Sequence, residues 1–245
     1  MNANLAHRHM IEIVAQAIGP DLLQEVAFVG GCTTGLMLDD PFSMEQVRHT
    51  EDVDLIVHVV GKMAWYSLQE QLRNKGFREK VDDSPICAMK LGELSVDFMP
   101  DDSTILGFSN RWYGDALSTA VDYPLTEAMV IRLVQPAYFI ATKFEAYLGR
   151  GQNDALGSRD IEDVLTLIDG RTTIVDDIKA APINVQHYIS DQFQQLLNDR
   201  NFEFAVNGAA NGNTAREAII FERIEMMIEV GRVVGCNVIA PPRGQ

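Results

Sequence analysis

Two carboxylates define the chemistry available to this chain. Asp52 and Asp54 flank Val53 at the head of an apolar run that continues through Leu55, Ile56 and Val57 to Val60. In an extended strand, residues i and i+2 point to one face, so both acids project together while Val53 faces the other way. Adjacent carboxylates repel each other, at a cost in stability unless a cation or strong donors offset it. A divalent metal is the economical occupant, and Mg²⁺ takes a few carboxylates plus waters and substrate phosphates rather than a closed protein cage. Asp97, in the run Leu94-Ser95-Val96-Asp97-Phe98-Met99, can add a third carboxylate from a neighbouring strand. Three such groups suffice for a two-metal clamp on an in-line displacement at phosphorus.

Upstream, Gly30 and Gly31 close the run Val26-Ala27-Phe28-Val29. Without Cβ atoms they admit backbone N–H groups close to a triphosphate, and a short helix beginning near Thr33 would aim its N-terminus at the same anion. Cys32 follows the glycines, and the nearest hydroxyls are those of Thr33 and Thr34. Arg48 reads as a brace on Glu51 or Asp52, and Thr50 as a partner of the loop backbone or of the nucleotide. Taken singly, a glycine pair is often only a turn and an edge aspartate only a solvated terminus. Their joint order is far more specific.

The elements that must position these residues can be read coarsely. An amphipathic helix is expected over residues 5 to 18, ending at Gly19-Pro20, then a strand over 26 to 30 and a buried strand over 53 to 60. A helix over 62 to 77 closes at Gly76, and residues 86 to 91 and 93 to 99 form a hairpin about Gly92. His58 is read as a half-buried strand residue. From Pro136 onward the pattern is helical, with helices over 137 to 150, 158 to 170, 184 to 200 and 214 to 234, and a mobile loop over 149 to 157. Strands first and helices later predict an α+β chain: a core domain over 1–130 and a helical C-terminal domain over 131–245.

The helical part supplies further candidates. Lys143 borders the apolar stripe Ile140, Phe144, Tyr147 and Leu148, the usual setting of a snorkelling surface residue. Asp160 and Asp163 follow the N-cap candidate Ser158, a favourable place for acids against a helix dipole without any function. Asp160 also borders the stripe of Val164 and Leu167, so it calls for a partner such as Lys143 or Arg150, and it is preferred to Asp163 as the functional acid. Arg111-Trp112-Tyr113 can stack a base or an acceptor, or simply pack in the core.

Composition sets the outer limits. The 245 residues carry a formal charge of -15, with 47% hydrophobic and 22% charged residues. That balance suits a soluble globular protein and opposes non-specific attraction to nucleic acid. The N-terminal Met-Asn-Ala-Asn-Leu-Ala-His-Arg-His-Met is polar, and no apolar run is long enough to span a bilayer, so no membrane contact and a cytoplasmic location are expected. Cys32, Cys87 and Cys236 show neither paired nor zinc-type spacing, and read as reduced thiols. The five histidines show no metal spacing.

Together these residues resemble the nucleotidyltransferase superfamily with a polymerase β-like core, marked by hG[GS], hDhDh and a later hDh. The chain is most similar to AbiEii/AbiGii-type toxin nucleotidyltransferases, in Gly30-Gly31, Arg48-His49-Thr50-Glu51-Asp52-Val53-Asp54, Asp97, Lys143 and Asp160-Ile161-Glu162-Asp163. The likeness covers roughly residues 26 to 168. It implies a mixed sheet of nucleotidyltransferase type with flanking helices, and Mg²⁺-dependent transfer of an NMP from an NTP to an acceptor hydroxyl. In that scheme Asp52, Asp54 and Asp97 hold the metals, and Asp97 helps deprotonate the acceptor. Gly30, Gly31, Thr33, Thr50 and Lys143 bind the nucleotide, with Lys143 and Asp160 also serving catalysis. The segment Leu38-Asp39-Asp40-Pro41-Phe42-Ser43-Met44-Glu45-Gln46 bears on the acceptor. The acceptor is tRNA or another macromolecule, with a possible antitoxin partner, or a cationic small molecule as for aminoglycoside nucleotidyltransferases. A non-catalytic interaction protein on the same fold is the remaining alternative.

Overall fold

A computed structural model describes residues 2–80, 85–107, 109–150 and 154–235, so Cys236 and residues 151–153 of the expected loop lie outside the described residues. The first helix is longer than its periodicity suggests. α1 (Ala3–Leu23) starts on an Asn2 cap, and Gly19, at φ +75°, kinks it before Pro20 instead of ending it. Its buried stripe runs through His7, Ile11, Val14 and Ile18. β1 (Val26–Val29) follows, then a buried 3-10 turn over Gly31–Leu36.

The loop over residues 38–46, expected to bear on the acceptor, is tied into the helical half. It contains α2 (Pro41–Glu45), where Asp40 caps Ser43 N–H at 2.9 Å and also pairs with Arg216 at 2.7 Å. Ser43 Oγ donates to Asp169 at 2.8 Å, and Asp39 and Asp40 donate backbone N–H groups to Gly170 O. These bonds satisfy polar groups of the segment and fasten it to Asp169, Gly170 and Arg216.

β2 (Asp52–Val57) ends three residues earlier than expected. Asp101 and Asp102 capture the N–H groups of Val59 and Gly61, which pulls the chain out of the sheet before α3 (Gly61–Asn74). His58 is therefore an exposed residue paired with Asp101 at 2.7 Å, and not half-buried in a strand. β3 (Arg78–Glu79) is a short edge, and β4 (Ala88–Leu91) and β5 (Leu94–Pro100) form the expected hairpin about Gly92, at φ +60°. After α4 (Ser103–Leu106) and α5 (Tyr113–Ser118) comes a second hairpin, β6 (Val121–Thr126) and β7 (Met129–Leu133), which the sequence reading did not contain. β7 runs across the expected 130/131 boundary and pairs in parallel with β1, Phe28 opposite Leu133. The seven strands lie in the order β3-β4-β5-β2-β1-β7-β6.

Among the described residues, six helices follow: α6 (Pro136–Gly149), α7 (Arg159–Gly170), α8 (Ile174–Ala180), α9 (Ile183–Leu196), α10 (Arg200–Ala209) and α11 (Thr214–Gly235). The chain is thus α+β, with a mixed sheet and flanking helices. One buried cluster runs from Phe28, Leu55 and Phe98 of the sheet to Phe139, Ile161 and Leu165 of the helices. That continuity holds α6 and α7 against the ends of β1 and β2. Among the described residues, no helix is long and apolar enough to cross a membrane.

Candidate functional site

The sheet brings the three aspartates together by register. Asp54 faces Asp97 on parallel β5 and Val29 on antiparallel β1, the residue just before Gly30. Asp52, two residues earlier on β2, shares their face. One carboxylate oxygen from each acid lies within 4.8 Å of the others. Among the described residues no ion pair reaches any of the three, and the buried Asp97 Oδ1 has no hydrogen-bond partner. Burial, reinforced by the charges of Asp52 and Asp97, pushes the Asp54 carboxyl up to about 8. Asp97 is raised as well, chiefly by burial. Three convergent acids, with Asp52 opposing the ionisation of Asp54 and Asp97 and one oxygen of Asp97 orphaned, fit a multivalent cation.

The glycine pair makes room for this arrangement. Gly30 sits at φ +81°, a backbone conformation that side chains disfavour, and a Cβ there would overlap the Asp54 carboxylate. A Cβ on Gly31 would overlap the Arg48 guanidinium. Both glycines line the cavity described below.

A second acidic cluster lies across from the first and is compensated. Asp163 receives Arg48 in a two-pronged contact, Nε to Oδ1 and Nη2 to Oδ2, each at 2.8 Å. Lys143 Nζ reaches Asp163 Oδ2 at 2.6 Å and Asp160 Oδ1 at 3.3 Å. Arg150 faces Asp160 Oδ2 at 3.2 Å, an ion pair without an aligned hydrogen bond. Burial alone would raise Asp163, but Lys143 and Arg48 outweigh it and hold the carboxyl below its ordinary value. Burial likewise opposes the charge on Lys143, and Asp163 and Asp160 overcome it and raise its affinity for the proton.

Several expectations change here. Lys143 is buried at 8% exposure, so it is not a snorkelling surface residue. Asp160 has the partners expected of it, Lys143 and Arg150, and Asp163 in addition takes both Arg48 and Lys143. Arg48 braces Asp163 rather than Glu51 or Asp52: the loop before β2 faces α7, which a local pairing rule misses. Thr33 is fully buried with its hydroxyl donating to Gly30 O at 2.8 Å, so it is unavailable to a phosphate. The Thr50 hydroxyl donates to Asp52 Oδ1, and the Thr50 N–H donates to His7 Nε2 at 3.1 Å. Cys32 is buried, which pushes its thiol far up and keeps it protonated. Trp112 packs in the core against Tyr188, while Tyr113 faces the aspartates.

Between the clusters lies a cavity of about 210 Å³, floored by Gly30, Gly31 and the three aspartates and walled by Tyr113, Lys143, Arg150 and Arg159. It is smaller than a typical small-molecule site of ~300–1,000 Å³. Adjoining hollows of about 570 Å³, beside Lys80 and Ser95, and about 480 Å³, beside Met99 and Glu145, extend it. Arg159 and His7 were not read from the sequence as site residues. His7 had a signal, since it falls on the buried stripe of α1 where a polar residue needs a partner. Arg159, at the start of α7, had none. No family model matches this chain, and no curated protein is similar to it at a significant level.

Proposed function

We propose that this protein is a divalent-metal-dependent nucleotidyltransferase with a nucleotidyltransferase-type core and a helical C-terminal domain, moving an NMP from an NTP to an acceptor hydroxyl. One observation carries the reading: three convergent aspartates, in no ion pair among the described residues, face a wall of Lys143, Arg150 and Arg159 across one cavity. Acids without cations on one side and cations on the other suit a metal-bound polyphosphate. Asp52, Asp54 and Asp97 would hold Mg²⁺, which when bound supplies positive charge to the α-phosphate and to the pyrophosphate as it leaves.

The chain's own groups do the remaining work. Arg150 and Arg159 bind and orient the phosphate tail, and Lys143 offsets charge that develops there. Asp97 takes the proton of the acceptor hydroxyl, whose oxygen bonds to the α-phosphorus as the bond to pyrophosphate breaks. No covalent intermediate with the protein is needed. Catalysis rests on placing two reactants in line in a partly enclosed site.

A formal charge of -15 favours a cationic small-molecule acceptor over a polyanion such as tRNA, which the toxin-like resemblance suggests. Calorimetric titration of each NTP with Mg²⁺ into wild type and Asp52→Asn/Asp54→Asn tests the core reading. Metal-dependent binding to wild type that the variant loses supports it and selects the nucleotide for an acceptor screen with polyamines, aminoglycosides and tRNA. Binding of no NTP by either protein overturns it in favour of a non-catalytic interaction protein.

A further inference from the structure

We infer that His7 is a positioning residue for Asp52, acting through Thr50. The inference rests on the proposed metal-binding role of Asp52. His7 is fully buried on α1, far from β2 in sequence, and its Nε2 accepts the Thr50 N–H at 3.1 Å. The Thr50 hydroxyl in turn donates to Asp52 Oδ1. An unbroken path of two hydrogen bonds thus runs from the first helix to a carboxylate of the candidate centre.

Packing does not account for this histidine. Its neighbours on the buried stripe are Ile11, Val14 and Ile18, and a leucine would fill comparable space. The histidine instead brings a cost: an imidazole accepting at Nε2 is neutral with its proton on Nδ1, and Nδ1 has no partner among the described residues. What histidine supplies and leucine cannot is an acceptor for the Thr50 N–H. That bond fixes the Thr50 backbone two residues before Asp52 and so aims the Thr50 hydroxyl. With Oδ1 held, the Asp52 carboxylate is oriented before any cation arrives. Such outer partners of metal-binding carboxylates set affinity because they remove the freedom that binding would otherwise have to freeze.

The test uses the full chain and Mn²⁺ alone, with free Mn²⁺ followed by electron paramagnetic resonance. Wild type is expected to bind, and Asp52→Asn/Asp54→Asn to bind not at all. His7→Leu is expected to weaken binding about 10- to 100-fold. His7→Gln, whose amide oxygen reaches close to the Nε2 position and can accept the Thr50 N–H, should restore most of it. Thr50→Val should weaken binding in the same way, with little further loss when His7→Leu is added, because both act on one path. A folded His7→Leu protein that binds as tightly as wild type overturns the inference, as does a His7→Gln protein no better than His7→Leu. If His7→Leu does not fold, wild-type affinity in Thr50→Val overturns it instead. Failure of the wild type itself to bind Mn²⁺ through Asp52 and Asp54 removes the metal reading, and this inference falls with it.

Discussion

Two acidic clusters face each other across one cavity, and they are built on opposite principles. Asp160 and Asp163, on α7, are answered by Arg48, Lys143 and Arg150 at 2.6 to 3.3 Å. Asp52, Asp54 and Asp97, on the sheet, meet no cation among the described residues, and Asp54 is pushed up to about 8. The first cluster is complete in the folded chain. The second forms no ion pair among the described residues. Buried charge is tolerated when it is paired, so the contrast is between a compensated cluster and one whose charge the described residues leave uncompensated.

The largest expected effect comes from breaking the paired cluster. Asp163→Asn leaves Arg48 and Lys143 without their shared partner, and chemical denaturation should show a loss of about 3–5 kcal/mol. The same substitution in the other cluster should act in the opposite direction. The Asp54 carboxyl is raised in the folded chain, so its contribution to stability is present below about pH 4 and is lost as pH climbs through about 8. Without metal at pH 8.5, Asp54→Asn should therefore be more stable than wild type, and the difference should shrink toward pH 4. Equal stabilities at both pH values would remove the contrast between the clusters.

A smaller effect separates them by ligand. Mg²⁺ at about ten times its dissociation constant should stabilise wild type by ~1.4 kcal/mol at pH 8.5, and leave Asp52→Asn/Asp54→Asn unmoved in a thermal melt. Affinity for Mg²⁺ should rise with pH through about 8, as Asp54 gives up its proton. The smallest effect lies at the rim of the paired cluster. The Arg150 side chain is 66% exposed, so Arg150→Met should cost less than about 1 kcal/mol. A cost as large as that of Asp163→Asn would mean that the rim carries the joint.

Much of the sheet side of the site was legible in the chain. The Asp52-Val53-Asp54 spacing specified a shared face because strand periodicity is local, and the Gly92 hairpin marked Asp97 as a strand residue, which the parallel pairing of β5 with β2 sets beside Asp54. The glycine pair was legible as a close approach, although what approaches is Asp54 and Arg48. The hairpin of β6 and β7 was not legible: Val121, Asp122 and Thr126 are exposed on an edge strand and lack the alternation that marks a strand with one buried face. The partners of Lys143, Arg48 and His7 were likewise out of reach. Each lies on a different element, and charge or polarity in a sequence says that a partner is needed without saying which.

The sequence by itself therefore determined which side chains share a strand face, where the backbone must be glycine, and that the acids exceed the cations by 15 charges. These follow from backbone periodicity, sterics and counting, which need no knowledge of distant residues. Only the tertiary structure decided that Asp163 is paired and Asp54 is not, and that His7 reaches Thr50. Burial sets the cost of an unpaired group, and the packing of α1, α6 and α7 against the sheet ends determines which partners come near enough to offset it.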